Sequence, residues 1–173
     1  MSLFALATWI IAAAGGLYLL SIWLIEYDKE FQAAAATRLP PPVLAGHVLL
    51  ALGGLAVWIT YLIYDADRLV WVALVALVLA ATLGLVMAVR WIGVYRAGRA
   101  AVRDRKARQA SHLTLVGGQA RVAVLEPAGE LGPPERNFPL PVVIAHGALA
   151  GATITLVVLT ALGVGGNGGV LRG

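Results

Sequence analysis

Four uninterrupted apolar blocks, each about as long as the hydrocarbon core of a bilayer is thick, leave this chain few folds to choose from. Leu3 to Ile25, Val43 to Tyr64, Leu69 to about Val89 and Val142 to Val164 each supply the roughly 20 apolar residues that a spanning helix needs. With 60% hydrophobic residues, 13% charged residues and a mean hydropathy of +0.85, the chain lies far from soluble-domain averages. None of the blocks alternates apolar and polar residues as a barrel strand would. The first block lacks the basic leading region of a signal peptide and outruns a typical signal core, so it reads as a helix. The expected fold is an all-α membrane protein, one domain over 1–173. Its transmembrane helices are expected at about 3–25, 43–64, 69–93 and 142–164, in an up-down-up-down bundle, with a basic loop over 94–141.

Charge placement orients the bundle. Arg96, Arg99, Arg103, Arg105, Lys106, Arg108, Arg121 and Arg136 crowd between the third and fourth blocks, which the positive-inside rule makes cytoplasmic. Glu26 to Pro42, with Lys29 and Arg38, falls on the same side; the Asp65-Ala66-Asp67-Arg68 turn and both termini then face outward. Aromatic residues agree: Trp23, Tyr27, Trp91 and Tyr95 mark the inner interface, and Trp58, Tyr61, Tyr64 and Trp71 the outer one. Arginine outnumbers lysine eleven to two in an Ala/Val/Gly-rich chain, a bias of GC-rich bacterial genomes that points to a bacterial plasma membrane.

Two stretches ninety-nine positions apart read almost alike, Pro42-Val43-Leu44-Ala45-Gly46-His47 and Pro141-Val142-Val143-Ile144-Ala145-His146, each opening an apolar block. The similarity extends further: Gly16-Leu17, Trp23 and Tyr27 recur as Gly84-Leu85, Trp91 and Tyr95, sixty-eight positions on. The pattern predicts a parallel two-helix internal repeat. It also places the two intramembrane histidines at one depth, about 7 Å inside the inner boundary. Imidazole is costly to bury in hydrocarbon without a partner, so a matched pair points to something held between them.

In such a bundle the second and fourth helices lie on a diagonal about 14 Å apart, a span that two imidazoles can bridge through one metal. The chain has no cysteine, which excludes disulfides, thiolate-held iron–sulfur clusters and covalent haem attachment. His47 and His146 are therefore expected to ligate the iron of one haem b. Gly46, Gly147, Gly16 and Gly84 would open room for the macrocycle, although glycine also simply lets membrane helices approach closely. Arg90 and Arg96 are the cations placed to meet propionates. A histidine pair binding copper or zinc, or meeting a quinone carbonyl, is the alternative on the same residues.

On His47, His146 and their prolines and glycines, the chain resembles the membrane-embedded b-type cytochromes, four-helix proteins whose haem is held by histidines on two helices. The resemblance covers the four helices and leaves the basic loop unexplained. It implies an electron-transfer subunit exchanging electrons with quinone or a partner complex. Two-haem members carry a second histidine pair near the opposite face; here the third histidine, His112, lies in the basic segment instead.

No Gly-x-Ser-x-Gly elbow, His-Glu-x-x-His motif, phosphate-cradling loop or Glu-x-x-His pair occurs, so a self-contained enzyme is not expected. Thr60, Thr82, Thr153 and Thr155 are expected to bond their own helix backbones. The net charge of +4 needs no nucleic acid to explain it, because basic segments beside membrane helices are ordinary. Arg96 to Ala110 reads as a continuation of the third helix or a segment lying along anionic lipid, and His112 to Leu125 as strand-like, with Pro/Gly-rich coil after it. Expected partners are the lipid bilayer and other membrane subunits or a second copy. A non-catalytic accessory or assembly subunit is the second functional reading.

Overall fold

The structure, a computed structural model, describes residues 1–28, 37–115 and 133–164, without the side chains of 28 and 109–115. Among these residues the fold is all-helical, with four long helices: α1 (Ser2–Asp28), α2 (Pro41–Tyr64), α3 (Asp67–Leu115) and α4 (Leu140–Ala161). All four are long and apolar enough to cross a membrane. Large apolar side chains such as Leu3, Leu49, Ile63, Leu85, Val89 and Ile144 stand exposed on the outside of the bundle. Apolar surface of that extent, on four helices of spanning length, suits a lipid bilayer.

Backbone chemistry sets most of the helix ends. Pro40 and Pro139 precede α2 and α4 in extended conformation, and a proline follows in the first turn of each, where its missing N–H costs nothing. Asp65 ends α2 in the left-handed region (φ 50°), its N–H donating to the Tyr61 carbonyl at 2.8 Å, and α3 begins two residues later. The third helix takes the first of the two readings open for Arg96 to Ala110 and continues past its apolar span. It runs for 49 residues, about 74 Å against a roughly 30 Å hydrocarbon core, so the first part of the expected 94–141 loop is helix. Arginine, alanine and lysine are good helix formers, and charge alone gives the backbone no reason to stop. The stretch 116–132, including most of the segment read as strand-like and coil, lies outside the described residues, as do Lys29 and the side chain of His112.

Around the bundle each helix touches its sequence neighbours and α4 closes on α1, which leaves α2 and α4 opposite one another. Contact is more extensive within the pairs α2–α3 and α1–α4 than between them. Lipid tails are as apolar as leucine, so packing shape and interhelical hydrogen bonds hold such helices together. One cluster is aromatic: Trp9, Trp58, Val70, Ala73, Leu77 and Val157 bury one another. A Cβ on Gly54 would lie 3.1 Å from the Trp9 ring, so that glycine is what admits the indole, whose N–H reaches the Ala51 carbonyl. Trp58, expected at the outer interface, is instead fully buried in this cluster; Tyr64 and Trp71 are exposed as an interfacial belt requires.

A second cluster is polar and gathers on the segments that precede α2 and α4. A 3-10 turn (Pro134–Asn137) buries Glu135 completely. Its carboxyl accepts from the Arg38 N–H at 2.7 Å and the Thr37 hydroxyl at 3.0 Å, and its backbone carbonyl accepts from the Trp91 indole at 3.0 Å. The Trp23 indole donates to Thr37, and Arg90 donates to the Arg38 carbonyl. This collar ties α1 and α3 to the entries of α2 and α4. Glu135→Ala should lower the thermal unfolding midpoint in detergent, by about 2–3 kcal/mol of stability, because it strands two donors at once. Glu135→Gln should recover part of the loss, measured by the same thermal scan.

Candidate functional site

His47 and His146 are each the seventh residue of their helix, α2 and α4. Both are half-buried and turned toward the bundle, with ring centroids 6.1 Å apart and ring planes at 71°. The structure thus brings the two sequence-matched imidazoles together.

Each ring is tethered in the same way. His47 Nδ1 lies 2.8 Å from the Ala80 carbonyl of α3, and His146 Nδ1 lies 2.8 Å from the Ala12 carbonyl of α1. A carbonyl oxygen can only accept, so Nδ1 carries the proton in both rings. In the neutral ring this leaves the Nε2 lone pair unused by the tether. Metal-ligating histidines are usually fixed in this way, with one nitrogen anchored to a backbone carbonyl and the other presented.

Glycine explains how a helical carbonyl can be reached at all. In an α-helix the Cβ of residue i+4 sits close to the carbonyl oxygen of residue i, which is why serine and threonine so often bond back to it. Gly16 and Gly84 stand four residues after Ala12 and Ala80. A Cβ on Gly16 would lie 2.9 Å from His146 Cε1, and one on Gly84 would lie 3.0 Å from His47 Cε1. Their missing side chains are therefore filled by imidazole, so these two glycines seat the rings. Gly46 faces the Leu83 side chain, while Gly147, Gly53 and Gly151 are exposed on the outside of the bundle and meet nothing.

The arginines divide. Arg90 lies six positions beyond Gly84, about 9 Å along α3, with one guanidinium nitrogen on the Arg38 carbonyl. Arg96 is exposed and twelve positions beyond Gly84, about 18 Å, and the structure does not bring it to the imidazoles. Thr60, Thr82, Thr153 and Thr155 donate to carbonyls four residues back, as expected. The Thr153 hydroxyl also lies 3.0 Å from that of Thr8, linking α4 to α1.

Sequence reasoning missed the tethering carbonyls and the collar. The Ala-x-x-x-Gly spacing at Ala12–Gly16 and Ala80–Gly84 was a usable signal. So was a lone glutamate set among prolines just ahead of α4. Chemically, the arrangement offers two imidazole rings whose Nε2 atoms are not used by the tethers. Among the described residues no group of three or more His, Cys, Asp or Glu side chains gathers around them. Two histidines are sparse for a bare zinc ion, which takes three or four protein ligands.

Gly16→Ala and Gly84→Ala should each push one imidazole off its carbonyl. The expected reading is loss of the Nδ1-protonated pattern for one histidine in ring-nitrogen NMR, with the other unchanged; unaltered spectra in both variants would mean the glycines do not seat the rings.

The chain matches no known family model, and no curated protein or solved structure is similar to it, so its function is read from this geometry.

Proposed function

We propose that this protein is a haem b-binding membrane protein that passes single electrons, with His47 and His146 as the two axial ligands. The separation of the imidazoles carries this reading. Two metal–nitrogen bonds of about 2.0–2.1 Å plus the ring radii set the centroids of imidazoles sharing one ion about 6 Å apart, and 6.1 Å is observed. The tethers add support, since each leaves Nε2 as the available donor.

Bound there, a haem supplies one-electron chemistry at iron. The chain's own contribution would be to hold both imidazoles in one tautomer, to supply His47 and His146 as the iron's protein ligands, and to keep the site among apolar helices. The looser contact between the two helix pairs is where a macrocycle would enter. Arg90 is the better placed of the two expected propionate partners. Quinone or a redox partner complex is the proposed source and destination of electrons.

The finer architecture belongs to the same proposal. The helices run up, down, up and down, with the collar end and the basic extension of α3 cytoplasmic, the termini outside, and the membrane a bacterial plasma membrane. The membership of the aromatic cluster supports the alternation, since it joins the starts of α1 and α3 to the ends of α2 and α4. A parallel repeat is supported by the matched tethers, whose acceptors Ala12 and Ala80 and glycines Gly16 and Gly84 are both sixty-eight positions apart.

Protein purified from a haem-replete host should show a Soret band and sharp reduced alpha and beta bands. His47→Ala and His146→Ala should each abolish them while the far-ultraviolet helix signal persists. Colourless wild-type protein, or a spectrum surviving in both variants, would overturn the proposal; a colourless protein copurifying with a larger complex would favour an accessory subunit.

A further inference from the structure

The basic extension of α3 carries a feature that the imidazole site does not use. Beyond the collar, Tyr95, Arg99, Arg103 and Lys106 of α3 and Arg136 of the 3-10 turn line one open groove of about 360 Å³. Arg136 sits over α3 at Gly98, where a Cβ would lie 3.9 Å from its Nε. Cations from two separate segments thus converge on one space.

Two carboxyl groups among the described residues near the groove are directed elsewhere. Glu135, adjacent to Arg136, is buried and engaged by Thr37 and the Arg38 N–H. Asp104, the one acidic side chain between Arg96 and Arg108, lines a different groove with Arg105 and Arg108. Four like charges lining one groove make a positive potential there that favours an anion.

Depth narrows the choice of anion. The apolar run of α3 ends at Val89, so Tyr95 lies about 9 Å and Arg99 about 15 Å further along the axis. Side chains on a helix lean toward its N-terminus, which for α3 is the apolar end. The Arg99 guanidinium does so, lying 5.8 Å over the Tyr95 ring and donating to its hydroxyl at 3.4 Å. That brings its charge back toward the phosphate level of a bilayer, whose polar layer extends roughly 5–8 Å beyond the hydrocarbon on each side. The Tyr95 ring stacks on Trp91 beneath it, giving the groove a rigid aromatic floor.

The geometry points to a binding site for the phosphate headgroup of an anionic phospholipid, clamped between Arg99 on one side and Arg136 on the other. Arginine suits this task because its planar fork pairs with two phosphate oxygens at once. The site is independent of the haem reading and stands if that reading fails.

The test is native mass spectrometry of the full chain released from nanodiscs made of equal parts phosphatidylglycerol and phosphatidylcholine with the same acyl chains. The expected result is retention of phosphatidylglycerol over phosphatidylcholine by roughly tenfold. Arg99→Gln combined with Arg136→Gln should bring the ratio near parity, and either single variant should cut it about threefold, so the outcome does not hang on the double variant folding. Arg105→Gln combined with Arg108→Gln removes the same charge from the other groove and should leave the ratio unchanged. Equal losses in the two double variants would reduce the effect to diffuse charge and overturn the proposal. Displacement of the retained lipid by millimolar glycerol 3-phosphate would also overturn it, assigning the groove to a soluble phosphate.

Discussion

A hydrogen bond from an imidazole to a backbone carbonyl on a neighbouring helix, made twice, is the interaction on which this bundle's interior depends. Helices in lipid gain nothing from hiding leucine from leucine, so their arrangement must be specified by contacts that lipid cannot offer. A histidine N–H donated across a helix interface is such a contact. It satisfies one polar end of a ring that hydrocarbon would otherwise leave unpaired, and it fixes that ring's tautomer and direction together. His47 does this from α2 to α3 and His146 from α4 to α1, so the two tethers coincide with the two more extensive helix interfaces.

The tether requires a glycine. Helical carbonyls are crowded by the side chain one turn on, and a missing side chain there makes room for a group as wide as imidazole. Gly16 and Gly84 create such openings, and the rings fill them. The same residue type therefore does a different job at different places: at Gly54 it admits the Trp9 indole, and at Gly147 it is exposed on the outside of the bundle and meets nothing. Counting glycines around a suspected cofactor does not distinguish these roles, because the neighbour that occupies the gap comes from another helix.

Aromatic and polar chemistry are segregated along the bundle. One cluster packs tryptophans with small and branched residues, and the other gathers a buried carboxyl, two indole N–H groups and two helix entries into a collar. The imidazoles, one and a half to two turns into α2 and α4, lie close to the collar. Anything that displaced Glu135 would loosen the entries of both histidine-bearing helices. The collar is in that sense the support on which the register of the two rings rests.

Much of this could be read from the chain alone. The four helices follow from block length and hydropathy, and the matched Pro-Val-x-x-Ala/Gly-His stretches marked His47 and His146 as partners before any coordinates. The threonines behaved as local backbone chemistry requires. Continuation of the third helix through its basic stretch was also open from the sequence, because helix propensity, unlike hydropathy, does not change at the interface, and α3 takes that course. Two things could not be read. Trp58 went to the core because a residue's facing depends on which helices flank it. Ala12, Ala80 and Glu135 entered the picture only through partners distant in sequence. Hydropathy and local motif spacing fix what each segment is, since both act over a few turns of one helix. Which carbonyl an imidazole finds, which gap a glycine leaves and how far apart two rings stand are set by the packing of one helix on another, and only the tertiary structure decides them.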